Sequence, residues 1–216
     1  GHRGPEVTRS ETTALVETPE GPARTTVTQP DGIPVGLLVL GHGAGGLRWT
    51  DDVTASRDAA VDAGWTVALV DQPWRVAGRR IGGQPASLDR AWLAVLPTLH
   101  AHRPNGGPLF VGGRSAGARV ACRTAAAVGA NAVLALSFPL HPPGRPERSR
   151  DEELREPGRH GITVHVIQGL SDAFGTPEEV REVLTGAAVH EVAGTHSLER
   201  SAALVATAVT SALSRC

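Results

Sequence analysis

Apolar and polar positions along the chain change period several times, and each change marks an element boundary. Val35 to Leu40 is a nearly continuous apolar run, the pattern of a strand buried on both faces. Thr66–Val70, Leu109–Val111, Ala132–Phe138, Ile162–Ile167 and Ala188–Val192 predict further strands. Helical spacing falls between them. Asp51 to Ala63 reads as a helix with Thr50 at its N-cap. Leu88, Trp92, Val95 and Leu99 make one helical face, in which Pro97 predicts a kink. Ala116–Val128 is helical, and Pro177–Leu184 carries Pro at its first turn. Leu198, Ala202, Val205, Val209 and Leu213 form an apolar stripe on a final helix. Near the start, Thr12–Glu17 and Ala23–Gln29 read as two strands joined by a hairpin at Glu20-Gly21-Pro22.

A leading hairpin followed by strand–helix alternation predicts a mostly parallel sheet with helices on both faces. Ligands of such sheets bind beyond the C-terminal ends of the strands. The informative residues are those that follow each strand.

Composition sets bounds on this picture. The chain of 216 residues fits one α/β domain spanning 1–216, with residues 1–10 expected to be flexible or tag-derived. The start is polar and lacks the apolar core of a signal peptide. Net charge is −1 with no basic tract, which argues against nucleic acid or an anionic membrane as partner. No apolar run approaches a membrane span. Every basic residue other than His is Arg, and with aromatics at 3% the core must be built from Val, Leu and Ala. The two cysteines, Cys122 and Cys216, make no disulfide framework or zinc site, and a reducing cytoplasm is the expected compartment. No metal or cofactor is expected, and the oligomeric state is not readable.

The chemistry begins after Leu109–Val111. Gly113-Arg114-Ser115-Ala116-Gly117 is a G-x-S-x-G motif between a strand and a helix. In that context a sharp turn exposes the Ser hydroxyl, and small residues are needed two before and two after it. Ser115 is therefore the candidate nucleophile, with Gly113 and Gly117 supporting the turn. A serine needs a base, and the base needs an orienting acid. Asp172 follows the strand Ile162–Ile167, and His196 follows the last strand. Nucleophile, acid and base thus stand in order at three strand ends. Asp172 could equally be a loop acid before a helix, and His196 a loop histidine; the coincidence of three placements favours the catalytic reading.

Gly41-His42-Gly43-Ala44-Gly45-Gly46 after Val35–Leu40 has two readings. In one, glycines such as Gly43 let the backbone approach substrate, and the N–H groups of Ala44 and Ala116 form an oxyanion hole. In the other, Gly41, Gly43 and Gly46 match the G-x-G-x-x-G of a dinucleotide site, with Asp71 as ribose partner and an NAD(P)-dependent oxidoreductase as the function. Two details disfavour the second. Leu47 to Thr50 separates the glycines from the helix, and Asp51 and Asp52 in its first turn would repel a pyrophosphate.

Other candidates are weaker. His100 and His102 sit two apart on a helix and share no face. His190 and His196 form no metal-binding pair. His141 is a rival base to His196, disfavoured by its position in the chain. Arg114 anchors the turn or faces an anionic substrate group, and the structural role is favoured.

These motifs, with Phe138 to Gly144 and Gln168 to Gly175, resemble the dienelactone-hydrolase-like branch of the α/β-hydrolases. The chain is similar to small, lid-poor hydrolase-domain proteins related to a vertebrate testis-expressed member. The resemblance implies an α/β-hydrolase fold with about eight strands and a minimal lid. It also implies Ser115, Asp172 and His196 as catalytic residues, Ala44 and Ala116 as oxyanion donors, and a carboxylesterase-like activity. Ala118 departs from the second glycine that many such enzymes carry after the turn. Some proteins of this group serve as regulatory subunits, so a non-catalytic interaction module is the alternative function.

Lids of this fold usually follow the strand ending at Phe138. Only 139–161 is available there, rich in Pro and charge and without an apolar helical face. An open pocket and a small soluble substrate are expected.

Overall fold

The computed structural model describes residues 10–185 and 188–215. The expectations for residues 1–9 and for Cys216 lie outside the described residues.

Among the described residues, eight strands form one sheet: β1 (Glu11–Val16), β2 (Ala23–Thr28), β3 (Leu37–Gly41), β4 (Thr66–Asp71), β5 (Leu109–Arg114), β6 (Ala132–Leu136), β7 (Thr163–Gly169) and β8 (Val189–Val192). Their spatial order is β1-β2-β4-β3-β5-β6-β7-β8. The hairpin β1–β2 joins antiparallel to β4, and every pairing from β4 to β8 is parallel. This is the architecture of the α/β-hydrolase fold.

The continuous apolar runs are explained by cover on both faces. Leu37 and Val39 of β3 point into one core, and Leu38 and Leu40 into the other. The first core is closed by α3 (Pro85–Leu99), α4 (Ala116–Thr124), α5 (Asp151–Arg159) and α6 (Pro177–Val183). The second is closed by α1 (Asp51–Asp62) and α7 (Ala202–Leu213). The largest fully buried group is Trp92 of α3.

The structure corrects several boundaries. β3 ends one residue later than the apolar run, at Gly41, and β6 ends at Leu136 rather than Phe138. Helix α4 stops at Thr124. Thr50 occupies the α1 N-cap, but its side chain makes no capping bond. Pro97 lies in the last turn of α3, which runs on as a 3-10 turn over His100–His102. Those two histidines are therefore not on an α-helix. The short helix α2 (Pro73–Val76) was not signalled by any apolar periodicity. The segment 139–161 does contain a helix, α5, where none was expected. A long apolar stripe is unnecessary because this nine-residue helix buries only Leu154 and Pro157. Glu153 from the same helix binds Arg119 and Arg123 of α4 at 2.8 and 3.2 Å. α5 thus belongs to the body of the domain and covers no site.

Candidate active site

Strand β5 ends in a turn of unusual tightness. Ser115 has φ 51° and ψ −109°, outside the regions that L-residues favour. Its N–H donates to the Leu136 carbonyl of β6 at 2.9 Å, which holds the strained residue in place. The flanking glycines are required by close approach. A Cβ at Gly113 would stand 2.7 Å from the Gly41 carbonyl oxygen, and one at Gly117 would stand 2.9 Å from that of His42. β3 therefore passes directly against the turn, in register Gly41 to Gly113.

The two loops that carry Asp172 and His196 are held together by backbone contact. Ser171 N–H donates to the Gly194 carbonyl at 2.9 Å, and a Cβ at Gly169 would fall 2.4 Å from the Thr195 carbonyl oxygen. His196 Nε2 lies 3.0 Å from Ser115 Oγ. Its Nδ1 lies 2.9 and 3.1 Å from the two Asp172 carboxylate oxygens. Asp172 is buried, and Phe174 N–H donates to its Oδ1 at 2.8 Å. The Phe174 ring packs on the His196 imidazole with centroids 4.1 Å apart. Three residues scattered over 82 positions of chain thus form one hydrogen-bonded line, with the acid buried and the serine at the accessible end.

The glycine loop after β3 lies beside this line. Ala44 and Ala116 border one small cavity. Two hydrogen bonds position the Ala44 peptide: its carbonyl accepts from Gly82 N–H at 3.1 Å, and Gly46 N–H donates to Arg80 O at 3.2 Å, which together make the antiparallel bridge of Gly45 to Ile81. His42 fixes the loop from beneath. Gln72 N–H donates to its Nε2 at 3.0 Å, so the proton is on Nδ1, which faces the Gly43 carbonyl at 2.8 Å. Burial above all pushes this imidazole down to about 4, with Arg75's charge helping against the Gly43 bond. His42 is thus a neutral strut.

These features carry a family assignment. A family model described as an alpha/beta hydrolase domain matches residues 34–211. The chain belongs to the α/β-hydrolases. A search of curated protein sequences gives no match. Among solved structures, a lid-less α/β serine hydrolase from Xanthomonas campestris superposes with TM-score 0.72 at 19% identity, covering 98% of this chain and 97% of that one. An esterase from Pyrococcus furiosus gives TM-score 0.72 at 16% identity, covering 100% and 96%. A dienelactone hydrolase from Anabaena variabilis gives 0.69 at 18%, covering 96% of each chain. At these identities the likeness establishes the fold.

Within this α/β-hydrolase the rival candidates are otherwise engaged. His141 Nε2 lies 2.6 Å from Glu179, and its Nδ1 lies 2.8 Å from the Pro142 carbonyl. Both partners are acceptors, which suits the imidazolium. Burial alone would lower His141, but the Pro142 and Glu179 bonds outweigh it and hold its pKa above the usual value. Asp71, the ribose partner of the nucleotide reading, is buried against Arg75 at 3.2 Å. Arg75 itself stacks over Trp49, 4.6 Å from the ring centroid. Arg114 turns toward the fully buried Asp52, with its Nε 3.5 Å from the carboxylate, and also packs against Gly43. This ion pair links the turn to α1. Cys122 is buried in α4, and burial pushes its thiol up, out of reach of nucleophilic chemistry.

Sequence reasoning missed two residues of this site. His42 was seen only as part of a glycine loop, and Gln168 only as the first residue of the segment Gln168–Gly175 that follows a strand. Neither belongs to a motif with a stated spacing, and both act through contacts across the sheet.

No described helix is long and apolar enough to cross a membrane.

Proposed function

We propose that this protein is a serine hydrolase that cleaves a small soluble ester, or a similar acyl substrate, through Ser115, His196 and Asp172. One observation carries the reading: a strained, accessible serine hydroxyl 3.0 Å from an imidazole whose other nitrogen is 2.9 Å from a buried carboxylate.

In the proposed reaction Asp172 holds the His196 proton on Nδ1, leaving Nε2 to take the Ser115 proton as Oγ attacks the carbonyl carbon. The N–H groups of Ala44 and Ala116 receive the negative charge that moves onto the carbonyl oxygen. As the tetrahedral species collapses, the bond to the alcohol oxygen breaks and His196 gives that oxygen the proton. Asp172 stabilises the transient imidazolium. Water then attacks the acyl-enzyme by the same route, releasing the acid and restoring Ser115. Carboxylesterase chemistry is the class this arrangement serves best, on a substrate reached from open solvent.

A fluorophosphonate probe tests the assignment. It is expected to label the native protein and to spare Ser115→Ala. Equal labelling of both, or of neither, refutes it.

A further inference from the structure

We propose that the site is selective for acyl groups no larger than acetyl, that Trp74 and Leu88 set this limit, and that the alcohol part of the ester is not size-restricted. The inference rests on the catalytic reading of Ser115 and His196.

The direction of the acyl group follows from proton transfer. The leaving oxygen must face His196 Nε2 to receive its proton, and the carbonyl oxygen must face the Ala44 and Ala116 amides. The third substituent on the carbonyl carbon is then directed away from His196. In the proposed pose it sits in the cavity that Ala44 and Ala116 border, which is closed by His42, Trp74, Leu88 and Trp92. It leaves only about 10 Å³ in which a water-sized group can be centred. Ordinary ligand sites span roughly 300–1,000 Å³, whereas about 10–15 Å³ holds a single water. A methyl group is the largest substituent this space is expected to take.

The walls are stiff. Trp74 is 7% exposed and meets His42 edge-on, with ring centroids 5.1 Å apart. On its other side Gly82 lies so close that a Cβ there would be 3.2 Å from the indole. The indole is thus held between the loop after β3 and the segment bonded to it. Trp92 is anchored in the core at 1% exposure. Behind Gln72, Trp74 and Leu88 is a second cavity of about 180 Å³, which shares those three residues with the first. Trp74 and Leu88 therefore stand as a partition, and truncating either joins the two spaces. The alcohol side is bordered by the Phe174 ring on His196 and is more open to solvent. His196 keeps 19% of its side chain exposed, and neighbouring Leu170 is half exposed.

The test is a two-way ester panel on the native protein. With p-nitrophenol held constant, kcat/KM is expected to fall by about 10–200-fold for each methylene beyond acetyl, the usual cost of a misfit methylene. With acetyl held constant and leaving phenols of similar acidity, phenyl, 4-biphenylyl and 2-naphthyl acetates are expected to react within about tenfold of one another. In Leu88→Ala and Trp74→Ala the acetate-to-butyrate ratio is expected to shrink by the same 10-fold or more. Leu88→Ala is decisive if Trp74→Ala loses the support it gives His42. Equal rates on acetate and hexanoate, a size limit on the alcohol instead, or an unchanged ratio in Leu88→Ala overturns the proposal while labelling of Ser115 stands. Failure of the probe to label Ser115 overturns the catalytic reading itself.

Discussion

Gln168 Nε2 lies 3.4 Å from Asp172 Oδ2, at the buried root of the hydrogen-bonded line that ends at Ser115. The same nitrogen donates to the carbonyls of Phe138 at 2.9 Å and Gly175 at 2.8 Å, while Gln168 Oε1 accepts from Phe138 N–H at 3.0 Å. One fully buried amide therefore ties the end of β6, the end of β7 and the Asp172 loop together. No apolar residue of similar volume can replace those bonds.

Replacing Gln168 with Leu strands the Phe138 N–H and the Gly175 carbonyl, while the Phe138 carbonyl keeps its bond from Leu140 N–H. Each stranded group costs about 1–3 kcal/mol. A lower Tm is expected, together with a fall in kcat larger than any change in KM, because the displaced group is Asp172 and not a substrate contact. Ester kinetics beside a thermal melt check this. Native kcat in Gln168→Leu would show that Asp172 is positioned by its own loop alone.

Gly112 is expected to tolerate no side chain. A Cβ there would lie 2.0 Å from the Leu134 carbonyl oxygen, which belongs to the neighbouring strand and cannot move without breaking the sheet. Gly112→Ala should destabilise by about 3 kcal/mol, the upper end of over-packing costs, or prevent folding. Gly45→Ala is the control, since a Cβ at that position meets nothing within 4 Å. Urea melts of the two variants check the contrast.

His42 should make the fold acid-sensitive. Its folded-state pKa of about 4 lies below the unfolded value of 6.5, so the folded protein binds fewer protons between these limits. The contribution is fully present above pH 6.5 and is lost as pH falls toward 4. It is on the order of 3 kcal/mol in all, since each pKa unit is worth about 1.4 kcal/mol. Unfolding midpoints measured from pH 7 to pH 4 should decline less steeply in His42→Gln than in the native protein. Parallel slopes would place the acid sensitivity elsewhere.

The sequence by itself determined the strand–helix alternation and the three strand ends that carry Ser115, Asp172 and His196. It could do so because both signals are local. An apolar run such as Val35–Leu40 reports burial on both faces, and a glycine two residues either side of Ser115 reports a sharp turn. Tertiary structure decided what depends on distant partners. α5 was invisible because its stability comes from Leu154 and from the pairing of Glu153 with α4, not from a stripe along its own face. His42 is neutral because it is buried, near the Arg75 charge and with Gln72 N–H donating to its Nε2, which outweighs the Gly43 bond. The cavity beside Ala44 is small because Trp74, remote in sequence, is packed against His42 and Gly82. Size, charge state and access at a site are set by what the fold brings next to it, and one-dimensional spacing holds no record of those neighbours.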